Sequence, residues 1–397
     1  MAQVVDLAEW AHRYGPRVDS WRLPTSAAKR DRLATVYGSD AVALLRAVLA
    51  PSAPVWLREL PAVQTMRMTL VQNYHITTDG RGREVIRRRE ADTDGLPPAR
   101  ARLTSPYDTD ARWAAKGEDL IWNGFKVHLT ETCDDDDDEP EAPTGQDEPE
   151  DRKAPTPNLI TNVATTSSTT PDVKATTPIH HQLHDHHLLP AEHYLDSGYP
   201  SADTITTAAH TFGVTLVTPA LLDHSPQARA GSGFDKTAFS IDFDTRQVTC
   251  PQGNSSANWS PTNQRGTQVI VVKFATDTCR PCPVRTQCTT VKRGGRQLTF
   301  HPRDMHHALT QARTQQSTND WQDKYKLRAG VEGTIHQAVT ITGIRHARYR
   351  GLAKTHLQHV FSAIALNLTR LHAWWTGNPL QRGRTSRLER LALTLAA

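Results

Sequence analysis

Two hydrophobic periods divide the chain. Apolar residues recur every three to four positions through residues 1–75, the spacing of helices. Val4 to Tyr14 reads as a helix entered partway. Asp40 to Ala50 reads as a second, with Ser39 as its N-cap and Pro51 as its stop, and Pro61 suits the first turn of a third running to about Tyr74. Residues 120–133 (LIWNGFKVHLTETC) alternate apolar and polar positions, which predicts a half-buried strand with a partner from Leu159 to Thr165. Residues 171–189 predict a His-rich helix ending before Pro190. Glu192 to Leu195 then predicts a short strand running into Asp196-Ser-Gly-Tyr199, followed by a helix (Ala202 to Phe212) and a buried strand (Val214 to Thr218). Strand, helix and strand in that order predict parallel pairing. Residues 239–250 predict a hairpin, Val269 to Phe274 a further strand, and Lys354 to Trp375 a last amphipathic helix.

Charge changes this picture in two places. Residues 131–151 carry twelve acids and no Lys or Arg, so a chain of net charge +4 is +16 without them. From Thr340 to Ala397 nine Lys or Arg face one acid. A basic body with one acidic loop suits a polyanion partner. The acidic, Pro-rich stretch 134–157 has too little apolar content to pack and is expected to be a disordered hairpin loop. Arg81, Arg83, Arg87, Arg88 and Arg89 cluster in residues 76–104, as a solvated basic hairpin or as a phosphate-contacting arm. No apolar run reaches the ~18 residues of a membrane span. No signal peptide opens the chain, so a cytoplasmic, nucleoid-associated location is expected.

Candidate chemistry concentrates in residues 325–332, Tyr-Lys-Leu-Arg-Ala-Gly-Val-Glu. Tyr325, Arg328 and Glu332 stand at i, i+3 and i+7, within about 60° of one another on a helix. A carboxylate can hold a hard divalent metal and an arginine beside it a phosphate. Gly330 and Gly333 flank Glu332 and suit a close backbone approach to another element or to DNA. Four of the five cysteines form a second cluster: Cys250 on the hairpin, then Cys279, Cys282 and Cys288 in C-x₂-C-x₅-C spacing. Four thiolates with one Cys-x-x-Cys pair favour a closed, structural Zn²⁺ site, which would hold together an insertion poor in apolar residues. Cys133 reads as a free thiol at a strand end. His180, His181, His184, His186 and His187 have no carboxylate or Cys pattern to complete a metal site.

The Tyr-(2)-Arg-(3)-Glu motif resembles the signature around the catalytic glutamate of a large group of bacterial insertion-sequence transposases. These are DDE enzymes with an RNase H-like fold. SPYDTDARWAAKG, WNGFKVHLTETCD, PNLITNVATT, EHYLDSGY, the cysteine cluster, RAGVEGT and ARYRGLAKTHLQHV follow in the same order as in one branch of that group. They run from Ser105 to about Trp375, roughly two thirds of the chain. The resemblance implies a mixed α/β sheet flanked by helices. It also implies a catalytic triad: Asp108 on the first strand (Asp110 being the alternative), Asp196 at the end of the fourth, and Glu332. These would hold two Mg²⁺ or Mn²⁺ ions for DNA cleavage and strand transfer. Tyr325, Arg328, Arg345, Arg348 and Arg350 would contact DNA phosphate. The implied partners are double-stranded DNA, as element ends and target, and a second copy at synapsis; no membrane is implied. The group's signature continues to a Lys seven residues after the Glu, where this chain has Val339. That departure, and the lack of a longer N-terminal DNA-binding region, leave two rivals. One is a truncated remnant that only binds DNA, and the other is a nuclease without strand transfer.

The expected organisation is a helical N-terminal region (1–75), a basic hairpin linker (76–104) and a first part of the RNase H-like core (105–219). A zinc-bearing insertion (220–310), a second part of the core (311–375) and a basic tail (376–397) complete it.

Overall fold

The structure, a computed structural model, describes residues 7–15, 23–118, 120–133 and 156–377. The acidic loop expected at 134–157 and the tail expected at 376–397 fall almost entirely outside the described residues. The described chain is a mixed α/β protein with five small sheets. It divides into two units. The first takes residues up to 127 with 165–170 and 345–360; the second takes 128–164, 171–344 and the rest.

The first unit opens with helices α1 (Leu7–Tyr14), α2 (Ala27–Leu49) and α3 (Pro61–Asn73). The break expected at Ser39 does not occur, because α2 runs straight through it. Ser39 is not a cap: its hydroxyl donates back to the Thr35 carbonyl at 2.9 Å, and the N-cap position belongs to Ser26. Gly38 stays helical because Tyr74 packs on it. A Cβ there would lie 2.4 Å from the Tyr74 ring, whose hydroxyl donates to the Ala34 carbonyl at 2.9 Å. Pro61 starts α3 as expected. The basic segment forms an antiparallel hairpin, β1 (Tyr74–Thr78) and β2 (Glu84–Arg88). Its arginines are engaged within the unit. Arg87 makes a bidentate pair with Asp94 at 2.6 and 2.8 Å, Arg88 pairs with Asp31, and Arg83 pairs with Asp79 at 2.9 Å. Strand β3 (Arg112–Lys116) pairs antiparallel with the start of β4 (Leu120–Glu131).

The second unit takes the end of β4 and most of β5 (Ile160–Ser167), in sheet order β3-β4-β5. Helix α4 (Val173–Asp185) buries Ala175, Ile179 and Leu183. Strand β6 (Glu192–Tyr194) pairs parallel with β7 (Thr215–Val217) across helix α5 (Ala202–Thr207), the parallel pair expected from the sequence. Two antiparallel sheets follow: β8 (Ser240–Asp242) with β9 (Gln247–Thr249), and β10 (Asn258–Gln264), β11 (Thr267–Lys273) and β12 (Gln297–Phe300). This insertion has its own core. Phe239, Val248, Ile270, Val272, Phe274, Leu298 and Phe300 are buried together, with Cys250, Cys279 and Cys288 against them. Poor in apolar residues as the insertion is, residues of β11 and β12 still supply it with an inward face. Helices α6 (Arg303–Gln315), α7 (Asn319–Lys326) and α8 (Gly330–Gln337) lead to the last helix, α9 (Leu352–Trp375).

One buried network fastens this unit. Arg370 on α9 is 8% exposed. Its guanidinium donates to Glu131 at the end of β4 (3.0 Å), to the Asn158 carbonyl ahead of β5 (2.7 Å) and to Gln337 on α8 (3.0 Å). Thr334 on α8 also accepts from Arg370 and in turn donates to Glu131. Removing one member of a buried pair leaves the other charged without compensation. Arg370→Leu is expected to cost about 3–5 kcal/mol in urea unfolding. The double change Arg370→Met, Glu131→Leu should recover much of that loss. A single substitution costing under about 1 kcal/mol would show that the network is not structural.

Candidate active site

Asp196 stands just past the carboxyl end of a parallel strand, where α/β sheets commonly place ligands. Leu195 extends the pairing, its N–H donating to the Val217 carbonyl at 3.1 Å. The chain then turns. Asp196 accepts from its neighbour Ser197 N–H at 2.7 Å through Oδ1, and the Tyr199 N–H donates to the Asp196 carbonyl at 3.0 Å. The side chain of Asp196 is exposed. Gly198 lets the turn lie close to Asp172, whose Oδ2 would be 3.2 Å from an added Cβ. Tyr199 anchors the turn: its hydroxyl is 2.6 Å from His128 Nδ1 on β4, and its carbonyl accepts from Thr176 on α4 at 3.3 Å. Burial first, then the charges of Asp172 and Asp196, push the Tyr199 phenol well above its ordinary pKa, so it stays protonated.

Tyr325, Arg328 and Glu332 do not share one regular helix. Tyr325 ends α7, Arg328 lies in a 3₁₀ turn (Leu327–Ala329), and Glu332 is in the first turn of α8. The backbone stays right-handed throughout, so the three side chains still converge. Arg328 donates to Glu332 at 2.9 Å and lies over the Tyr325 ring at 5.4 Å. Trp321 also stacks on Tyr325, with ring centroids 4.8 Å apart. Asp196 joins the group electrostatically. Burial opposes the Arg328 charge, but the Glu332 hydrogen bond, Tyr325 and Asp196 together hold its pKa above the ordinary value. Tyr325 is raised by burial first; Arg328 opposes that, and Asp196 and Glu332 add to it. Lys324 on α7 ties the two elements together through a 2.9 Å ion pair with Glu192 on β6. Glu192 is held below the usual carboxylate range, chiefly by that bond. Glu332 thus pairs directly with the guanidinium, while Asp196 acts on it through its charge alone; carboxylates are the hard oxygen donors a divalent ion requires. Among the described residues no three His, Cys, Asp or Glu side chains stand in metal-holding geometry.

Gly333 has open space where a side chain would go, and at Gly330 the nearest atom, Glu131 Oε1, is 3.8 Å away. Neither glycine is required by the packing of the unit itself. Val339 follows α8 half-buried.

Asp108 and Asp110 lie in the first unit. Rather than standing on a strand, both occupy the turn before β3. Asp108 Oδ1 accepts the N–H groups of Asp110 and Ala111 at 3.1 Å, and its Oδ2 accepts from Gly351 N–H at 3.0 Å. Asp110 accepts from Leu352 N–H, the first residue of α9, at 3.0 Å. Both acids thus satisfy N–H groups at the start of that helix. The segment before it displays Arg345, Arg348 and Arg350, all exposed. Gln358 holds the segment from both sides, accepting from Arg348 N–H and donating to the His346 carbonyl. Arg350 lies 5.1 Å over the exposed ring of Tyr107.

The four cysteines Cys250, Cys279, Cys282 and Cys288 line one pocket of the insertion and are all reduced. Cys279 Sγ accepts from Arg296 N–H at 3.5 Å and Cys250 Sγ from Asn254 Nδ2 at 3.8 Å. Burial first raises the Cys288 thiol pKa; Arg296 opposes this and the other three cysteines add to it. Four thiols are the soft donor set that Zn²⁺ takes, and here they share one pocket without standing in metal-holding geometry.

Residues 249–372 match the family model described as a transposase DDE domain. The match supports a DDE transposase, an enzyme of the transposase or nuclease kind with DNA as its partner, and such enzymes generally use divalent metal ions. It covers the cysteines, Tyr325, Arg328 and Glu332, and ends within α9; Asp108 and Asp196 lie before it. No curated protein and no solved structure matches the chain. Among the described residues no helix is long and apolar enough to cross a membrane.

The elements around Asp196 also carry a buried histidine pair that the sequence reading did not anticipate. His180 Nε2 on α4 lies 3.0 Å from His193 Nδ1 on β6. Burial, then the charge of His180, lowers the His193 pKa from 6.5 to about 4. The unfolded chain therefore takes up the proton first. Stability from this pair is complete above about pH 6.5 and is lost as pH falls toward 4, by on the order of 3 kcal/mol. The thermal midpoint of the wild type is expected to fall over that window, and that of His193→Gln to fall less steeply. Parallel curves would assign the acid sensitivity to other groups.

Proposed function

We propose that the chain is an insertion-sequence DDE transposase. Asp108, Asp196 and Glu332 hold two Mg²⁺ or Mn²⁺ ions on an RNase H-like core, and a Zn²⁺ ion ties Cys250, Cys279, Cys282 and Cys288. The observation that carries this reading is the Arg328–Glu332 hydrogen bond beside Tyr325, with Asp196, from a separate element, adding its charge to the same groups. A structural ion pair needs one acid for one arginine. Negative charge from two acids on a half-buried arginine, with an aromatic ring against it, suits a phosphodiester with its counter-cations.

When bound, the divalent ions activate the attacking oxygen and stabilise the leaving one. The chain's own residues supply position and charge. Arg328 is the phosphate ligand, held flat by Tyr325, which is in turn held by Trp321. Arg345, Arg348 and Arg350 contact the DNA backbone from a segment braced by Gln358, and their contribution to affinity is salt-dependent. Asp108 keeps acceptor capacity beyond the three N–H groups it serves, so capping and metal binding are compatible. Joining two element ends requires two copies at synapsis. The half-buried Val339 supplies no charge on its turn, which favours a rival reading as an inactive remnant that only binds DNA.

The test is a supercoiled plasmid carrying the gene's own flanking DNA, incubated with the protein and Mn²⁺. Glu332→Gln and Asp196→Asn are each expected to lower nicking by about 100-fold or more. Asp108→Asn and Asp110→Asn separate the two candidates for the first acid. A folded wild type that does not nick refutes the catalytic reading. Nicking without joining of the 3′ end to target DNA selects the nuclease. For the insertion, metal analysis of the purified protein is expected to find one zinc per chain, lost in Cys282→Ser together with several degrees of thermal midpoint.

A further inference from the structure

The last helix carries a second apolar face. Along α9 the buried positions are Thr355, Gln358, His359, Ser362 and Arg370 together with Ala363, Leu366 and Ala373, while Leu357, Phe361, Ile364, Leu368 and Trp375 face solvent. The exposure is large: 62% for Phe361, 60% for Leu368 and 71% for Trp375. A helix whose inner face is already packed against the body and whose outer face still carries large apolar residues is short of a partner, not short of packing.

The spacing says what kind of partner. With half-buried Leu371, the residues run 357, 361, 364, 368, 371 and 375, alternating steps of four and three. That is the 3.5-residue repeat of a coiled-coil seam, unbroken over about 27 Å of helix. Such a seam is filled by another helix at a crossing angle of about 20°. The flanking positions are Gln358, Val360, Ala365, Asn367, His372 and Trp374, so no Lys, Arg, Asp or Glu borders the seam. Charges there would select a partner of opposite pattern and repel an identical helix. Their absence makes the stripe self-complementary, as an isologous two-fold contact requires. Pairing two such stripes would remove on the order of 1,200 Å² from water, the lower bound of a stable specific interface.

We infer that α9 is a self-association surface, and that two copies of this chain pair stripe to stripe along residues 357–375. Pairing through α9 needs neither DNA nor divalent metal, so it goes beyond the proposed catalysis and stands or falls separately from it.

The experiment is sedimentation velocity on the purified full-length protein without DNA, for the wild type, Leu368→Glu and Leu368→Lys. Leu368 lies next to the middle of the stripe, so its charge meets its counterpart in either relative direction of the helices. The wild type is expected to be dimeric. Each variant should be monomeric, with a dimer at least about 100-fold weaker, and an equimolar mixture of the two should recover the dimer. Phe361→Glu and Phe361→Lys repeat the test at a second exposed site should either Leu368 variant fail to fold. A monomeric wild type, whether residues 378–397 or nothing at all covers the stripe, overturns the inference. So does a dimer that survives Leu368→Glu, and so does a mixture that stays monomeric.

Discussion

Burying a guanidinium obliges the surrounding chain to bring it hydrogen-bond acceptors, and in the second unit that obligation falls on three segments at once. Arg370 draws the end of β4 through Glu131, the approach to β5 through Asn158, and α8 through Thr334 and Gln337. None of these contacts is local in sequence. A carboxylate and a guanidinium that are both almost out of water add little net stability compared with apolar residues of the same volume. Their effect is on register. If α8 slid by one residue, Thr334 and Gln337 would leave Arg370, and Glu332, two residues before Thr334, would leave the face it shares with Arg328. Precision at an exposed acid is thus obtained from a buried one.

The exposed side of α8 works by the opposite balance. Arg328 has Glu332, Asp196 and the face of Tyr325 around it, more negative charge than one guanidinium needs. That surplus is tolerable at the surface, where water screens it, and would be costly inside. It is also what makes the site receptive to further cations. The Lys324–Glu192 pair lies outside this balance and has a mechanical role: it fastens α7 to β6 so that the two acids keep a common partner.

Much of this was legible in the sequence wherever one residue type recurs at a fixed spacing. The alternation of 120–133, the parallel strands either side of α5 and the 239–250 hairpin appear where the pattern puts them. Tyr325, Arg328 and Glu332 also converge as their spacing implies, although a 3₁₀ turn interrupts the helix. What could not be read is what depends on a distant partner. Gly38-Ser39 looks like a helix boundary until Tyr74, thirty-odd residues later, fills the space a side chain would occupy. Asp108 and Asp110 look like strand acids until the backbone at Gly351 and Leu352 arrives to be capped. The basic cluster at 81–89 looks free until Asp31, Asp79 and Asp94 take up three of its arginines. In each case the fold itself makes use of a group that the local pattern presents as free.

Helix α9 carries that lesson furthest, because there the pattern was read correctly and its orientation could not be. A 3.5-residue apolar stripe announces an amphipathic helix, and the usual inference is that the stripe faces the core. Here the core is already furnished with polar groups that require α9's polar face: Asn367 brackets Ile160, donating to its carbonyl and accepting from its N–H, and Thr165 meets His359 at 2.8 Å. Both partners lie on β5, whose Ile160-Thr-Asn-Val-Ala-Thr165 run mixes hydroxyls and amides with apolar residues. A strand of that composition selects the hydrogen-bonding side of the helix laid against it. One apolar stripe is then left outward while Ala363, Leu366 and Ala373 pack inward beside the polar groups, which is why the periodicity of α9 identifies a helix but not the surface it buries.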